Sequence, residues 1–319
     1  MKMTYREALK EGLKTALEND PRVFLIGEDI GAYGGTYAVT KDFLKIYGPE
    51  KIMDAPLSEA GFTGIALGAA IGGLRPVVEI MTVNFSLLAL DQIINSAAIY
   101  RHMSAGQISV PLIIRMTTGG GRQLAAQHSN SFEGWLAHIP GIKILTPGTV
   151  EDARSSLHFA LKENDPVLIF EHALLLNRSE EVGEKPLLLN PFKALVRKSG
   201  DALTVITYGG MLPKCLEAAG ESEKVEVIDL RSLRPLDDET IFNSIKKTHR
   251  ALIVDEGWRS GSLSAEMSAR IMENSFYDLD APVERLCRKE IPVPYARHLE
   301  EAAIPGVEDI KNKIQEMLS

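Results

Sequence analysis

The chain has 319 residues, 45% hydrophobic and 24% charged, with a formal net charge of -8. That length fits two domains and that composition an ordinary folded protein. The acidic balance argues against nucleic acid as the main partner, because phosphate binding needs a basic face. The longest apolar stretch, from Gly61 to Leu74, is shorter than the roughly 20 residues of a membrane span. The N-terminus has no signal-peptide core, so a cytoplasmic protein is expected. Cys215 and Cys287 lie far apart and form no CxxC pair, which leaves no disulfide framework and no zinc or iron–sulfur site.

Thr4 with Glu7 reads as a capping box that opens an amphipathic helix to about Glu18. Short buried strands follow at Arg22 to Gly27, Pro76 to Ile80, Val110 to Arg115, Ile142 to Leu145 and Pro166 to Phe170. Helical patterns lie between them, near Ser58 to Gly73, Leu87 to Arg101 and Thr149 to Glu163. Asn177 to Lys193, rich in charge, Pro and Asn, reads as a linker. A second alternation has strands at Ala202 to Thr207, Val225 to Asp229 and Ala251 to Asp255, with helices near Leu212 to Ala219, Asp237 to Lys246 and Ser262 to Asn274. The expected fold is therefore α/β: two domains, each a mostly parallel sheet flanked by helices, over about 1–180 and 195–319 with 181–194 as linker. Such sheets place ligand sites beyond the carboxyl ends of their strands.

The segment Leu57-Ser58-Glu59-Ala60-Gly61-Phe62 sets one carboxylate at the mouth of an almost wholly small or apolar run. A helix apolar on every side is expected in a core, and a Glu at its start would be partly desolvated and easier to protonate. The plainer reading is a carboxylate that complements the positive helix end. Gly119-Gly120-Gly121 follows a strand, as phosphate-cradling glycines do, but matches neither GxxxxGK[ST] nor GxGxxG; a flexible loop is the simpler expectation. His128 and His138 form no metal-binding pair, and a lone His is more often structural than catalytic. Asp29, Asn84, Phe85, Asp91 and Gln92 lie near expected strand ends, and each alone is uninformative.

Together, LSEAGFTGIALGAAIGGLRPVVEIM, NFSLLALDQIINSAA, AAQHSNSFEGWLAHIPGIKILTPGTVEDA and the C-terminal EIPVPYARHLEEAAIPGVEDI resemble the beta subunit of thiamine-diphosphate-dependent 2-oxoacid dehydrogenases. The resemblance covers nearly the whole chain. It implies a transketolase-like pyrimidine-binding domain followed by a transketolase C-terminal domain. Glu59 matches the glutamate that bonds the cofactor's aminopyrimidine ring, Phe85 the aromatic that packs on it, and Leu57 and Met81 its apolar neighbours. His128 matches the histidine near the substrate and the incoming lipoyl group. Leu88 stands where the family often has Gln, so that contact is not carried over. Some members hold a structural potassium ion. Its ligands would fall at Leu112, Ala160, Leu161, Glu163 and Asp165, the last two departing from the family's Asp and Asn.

The family's diphosphate and Mg²⁺ anchor, a GDG segment with a downstream Asn, has no counterpart; Ser199-Gly200-Asp201-Ala202 is the nearest. The resemblance then implies an alpha subunit that holds Mg²⁺ and the rest of the thiamine diphosphate site, usually in a heterotetramer of two alpha and two beta chains. The implied activity is oxidative decarboxylation of a 2-oxoacid and acyl transfer to lipoamide on an acyltransferase core, with pyruvate favoured over acetoin or branched-chain substrates. A fragment of a single-chain synthase, a non-catalytic assembly subunit, a nicotinamide oxidoreductase and a ferredoxin-linked oxidoreductase are the competing readings. The chain reads as a complete protein, Glu59, Phe85 and His128 are all present, no dinucleotide fingerprint occurs, and the cysteines make no cluster motif. Each of these counts against one of the four.

Overall fold

A computed structural model describes residues 1–319 and divides them into two compact units: Met1–Thr118 with His138–Pro191, and Gly119–Ala137 with Phe192–Ser319. The loop 119–137 thus belongs to the second unit, an excursion that composition along the chain does not announce.

In the first unit the helix Tyr5–Asn19 starts at the expected capping box. The Glu7 amide donates to Thr4 Oγ1 (3.2 Å) and the Thr4 amide to Glu7 Oε2 (2.7 Å). The Thr4 amide, and the Thr4 hydroxyl that donates to the same carboxylate (2.7 Å), favour its ionised form and hold the Glu7 acid below its ordinary range. Parallel strands lie in the order Lys143–Leu145, Val167–His172, Ile113–Thr118, Arg75–Ile80, Val23–Glu28, Ile52–Ala55. The third of these starts later than expected, because Pro111 has no N–H to give to a ladder. The expected linker also carries structure: Ser179–Glu181 pairs antiparallel with Lys2–Thr4.

One expected helix is not regular. The stretch from Leu87 to Arg101 is instead a 3₁₀ turn at Val83–Ala89, a π-type turn at Asp91–Ala97 and a short helix Tyr100–Met103. The segment has more apolar residues than one α-helical face can bury. The wide turn, with the Ala98 amide donating to the Ile93 carbonyl, brings Ile93 and Ala97 inward and leaves Leu87 and Leu88 outside.

The second unit has the strand order Glu284–Arg288, Ala251–Trp258, Leu203–Thr207, Val225–Asp229, Leu195–Lys198, with only the last antiparallel to its neighbour. Its core packs Leu203, Val205, Val225, Val227, Leu252 and Val254 under Leu212 and Cys215 of the helix Met211–Ala219, with Ile310 and Ile314 from the helix Val307–Leu318.

Buried charge crosses the centre of the first sheet. Arg115 donates to Glu171 through Nε (2.6 Å) and Nη2 (2.8 Å) and to Glu79 through Nη1 (3.0 Å). Register places Arg115 beside Ile169 and Glu79, so three adjacent strands are tied side chain to side chain. Burial pushes the Glu171 acid up, while the guanidinium is kept fully ionised by its two carboxylates.

Candidate active site

Glu59 is the first residue of the helix Glu59–Ile71, which follows the edge strand Ile52–Ala55. It is 4% exposed, and no group of the chain hydrogen-bonds its carboxylate. A carboxylate so little exposed, with no donor from its own chain, is open to an outside hydrogen-bond partner. Met81 and Phe85 follow the carboxyl end of Arg75–Ile80, and the Phe85 amide closes a turn onto the Thr82 carbonyl (2.9 Å). The turn Val83–Ala89 packs against the helix that Glu59 opens. Two parallel strands on either side of Val23–Glu28 thus deliver Leu57, Glu59, Met81 and Phe85 to one carboxyl edge, where a ligand site is expected.

The helix itself corrects the expectation of burial on every side. Phe62, Ala66, Leu67 and Ala70 are buried, but Ile65 is 62% exposed and Ile71 and Leu74 lie outside too. Leu57 is 72% and Leu88 62% exposed. Apolar composition alone does not distinguish a core helix from one whose second face lies on the surface of its own chain.

Glu28 escaped the sequence reading. It ends the strand Val23–Glu28, paired with Ala55 of the neighbouring strand. Burial first, then the negative charges of Glu59 and Asp29, raise its acid above the ordinary carboxylate range. The signal available was a carboxylate just past the strand expected to end at Gly27, next to a second acid, Asp29.

His128 is held by the second unit. It is an exposed residue closing the short turn Ala126–His128, after Gln123 and Ala125, both at positive φ (57° and 59°). Strained backbone of this kind costs free energy and persists where surrounding contacts enforce it. Here the enforcers are buried carboxylates. The Gly120 amide donates to Glu256 (2.8 Å), the Gly121 and Gln123 amides to Glu300 (2.8 and 2.9 Å), and Arg288 joins Glu256 (2.9 Å) to the Ser129 carbonyl (2.8 Å). The glycine run is therefore neither a free loop nor an open phosphate cradle, because the Gly120 and Gly121 amides already serve the chain's own acids and the Gly119 amide the Asn130 carbonyl. A Cβ at Gly120 would come within 2.5 Å of Ile304. His138 begins the return segment and is exposed.

The Ser199-Gly200-Asp201 segment does not substitute for a diphosphate anchor. A Cβ on Gly200 would meet the Val225 backbone at 2.2 Å, so this glycine serves close packing, and Asp201 is exposed. The oxygens expected to hold potassium are largely engaged. The Leu112 carbonyl accepts from the Val167 amide (2.9 Å), the Ala160 carbonyl from the Glu163 amide (3.1 Å) and the Glu163 carbonyl from Arg75 Nη1 (3.0 Å). Lys143 pairs with the Glu163 carboxylate and Arg101 with Asp165 (2.7 Å). Carbonyls keep a second lone pair, but Lys143 and Arg101 already balance both carboxylates of this cluster, and we assign no metal to it.

Residues 1–178 match the transketolase pyrimidine-binding domain and residues 192–310 the transketolase C-terminal domain. The pyruvate dehydrogenase E1 component subunit beta-2, mitochondrial, of Oryza sativa subsp. japonica is 46% identical over 316 residues, covering 97% of this chain and 84% of that protein. The pyruvate dehydrogenase E1 component subunit beta of Rickettsia bellii (strain RML369-C) is 39% identical over 321 residues, with 99% of each chain covered. Among solved structures, a split gene transketolase, described as an inactive beta4 tetramer, is similar with a TM-score of 0.81 at 22% identity, over 99% of this chain and 98% of that one, a likeness of fold. On these matches and this architecture, the chain belongs to the family of pyruvate dehydrogenase E1 component beta subunits.

Proposed function

We propose that this chain is the beta subunit of a thiamine-diphosphate-dependent pyruvate dehydrogenase and supplies the pyrimidine half of its cofactor site. The observation that carries this reading is Glu59: a buried carboxylate without a partner, first in its helix and beside the charge of Glu28. Bound thiamine diphosphate supplies the nucleophilic carbon and holds the charge left when CO₂ departs. Glu59 holds a proton at the aminopyrimidine ring nitrogen and passes it back and forth. Phe85 would pack on that ring, with Leu57 and Met81 as its apolar neighbours. His128, on its constrained loop, serves the incoming lipoyl group.

The diphosphate half is proposed to come from an alpha subunit that also holds Mg²⁺. Support comes from the absent GDG segment, the occupied glycine amides, and the exposed apolar Leu57, Ile65 and Ile71 before and along the helix that Glu59 opens, with Leu88 of the turn packed against it. An assembly of two alpha and two beta chains, serving a lipoyl-bearing acyltransferase core, fits this division of the site. No helix is long and apolar enough to cross a membrane. Cys215 and Cys287 are both free thiols, which fits the reducing cytoplasm we propose as its location.

The test is pyruvate decarboxylation with thiamine diphosphate and Mg²⁺, for this chain alone and mixed with its alpha subunit. Activity only in the mixture is expected. Turnover by this chain alone would overturn the half-site reading.

A further inference from the structure

Between the helices Tyr5–Asn19 and Val150–Ala160 of the first unit lies a cavity of about 710 Å³, lined also by Arg22, Arg75, Lys162 and Leu188. It borders Arg75 at the amino end of its strand, whereas Met81 and Phe85 follow the carboxyl end of that strand. It is thus a separate place from the candidate active site.

Its charge is opposite to that of the whole chain. Four cations, Arg22, Arg75, Arg154 and Lys162, line it against two carboxylates, Glu11 and Asp20, in a protein of net charge -8. The two acids are already committed. Asp20 takes Arg22 in a fork (2.9 and 2.7 Å). Glu11 takes Arg154 (2.8 Å at Nε), which also donates to the Gly183 and Glu184 carbonyls (2.8 Å each). Arg75 and Lys162 remain without a carboxylate. Arg75 gives Nη1 to the Glu163 carbonyl (3.0 Å), and Lys162 lies over the Phe159 ring at 5.5 Å.

These two cations also face groups that repel a proton's charge. Burial and the nearby Arg22 weaken the Arg75 cation, and burial and Lys162 lower the basicity of His158. An anion between them would relieve both repulsions and accept hydrogen bonds from the free guanidinium nitrogens, the ammonium and the imidazole N–H. The volume is that of a pocket for a small organic ligand and far exceeds a bare inorganic anion. Ala16, Leu161, Pro186 and Leu188 supply an apolar wall for such a body.

We propose that this cavity binds a phosphate-bearing small molecule of nucleotide size, its phosphates between Arg75 and Lys162 and its organic part against Leu161 and Leu188. The test is calorimetric titration of the full chain, alone and with its alpha subunit, using ADP, inorganic phosphate and adenosine as probes without added metal. ADP is expected to bind, phosphate to bind more weakly and adenosine not at all. Lys162→Glu, at an exposed position and with its fold checked by circular dichroism, is expected to weaken ADP by about tenfold or more, the loss of one charged contact. Lys162→Met is expected to lie between. Adenosine binding as tightly as ADP would overturn the role of charge, and phosphate binding as tightly as ADP would overturn the nucleotide-sized ligand. Failure of ADP to bind, or unchanged affinity in Lys162→Glu, would overturn the site.

Discussion

The Gly120 amide donates a 2.8 Å hydrogen bond to Glu256, a buried carboxylate that also receives Arg288. That bond, with the two that Glu300 accepts, fixes the loop that presents His128. Glu256→Gln keeps the size but weakens the acceptor and leaves the buried Arg288 without its counter-charge. We expect lipoamide reduction to fall more than decarboxylation measured with an artificial electron acceptor, as for His128→Ala. Equal losses in both assays would remove His128 and its loop from the acyl-transfer step.

Glu59→Gln keeps the shape of the residue and removes its capacity to exchange a proton. Turnover in the assembled enzyme is expected to fall by about 10²–10⁴-fold, the usual worth of positioned proton transfer. The thermal midpoint should hold, since no hydrogen bond of the chain to this carboxylate is lost. Activity near that of the parent would sink the assignment.

Arg115 ties Glu79 and Glu171 across adjacent strands. Arg115→Met leaves the buried Glu171 and the half-buried Glu79 uncompensated, and breaking a buried pair in this way costs about 3–5 kcal/mol. Denaturant unfolding should show a midpoint loss of that order. A change under about 1 kcal/mol would mean that water reaches the pair after all.

Glu28 makes a prediction about pH. Its acid is raised in the folded chain, so the fold binds its proton more tightly than the unfolded chain does. The associated stability is present below the ordinary glutamate pKa and lost as pH rises through the raised folded value. Glu28→Gln, which cannot ionise, should therefore melt higher than the parent at neutral pH, with the gap closing on acidification. A gap that is constant across pH would show that Glu28 is not desolvated.

The oxygens of Leu112, Ala160 and Glu163 already serve donors of the chain. Exchanging potassium for sodium at constant ionic strength should then leave the thermal midpoint unchanged, because a cation that does not bind the folded state cannot stabilise it. A stabilisation specific to potassium would place an ion there.

Local chemistry was legible in the residues. The Thr4–Glu7 box set a helix start and alternating apolar runs set two layered α/β units, although the strand expected from Val110 begins only at Ile113, past Pro111. The resemblance pointed to Glu59 and Phe85, and parallel-strand geometry explains why both reach the same edge. What the sequence could not decide were long-range matters. Whether the apolar helix after Glu59 is covered depends on which neighbours the chain itself provides, and half of it has none. Whether three glycines bind phosphate depends on acids far along the chain, Glu256 and Glu300, reaching their amides first. That 119–137 belongs with the second unit follows from the same bonds. Hydrogen bonds and burial between distant residues are properties of the folded arrangement, and residue order fixes them only through it.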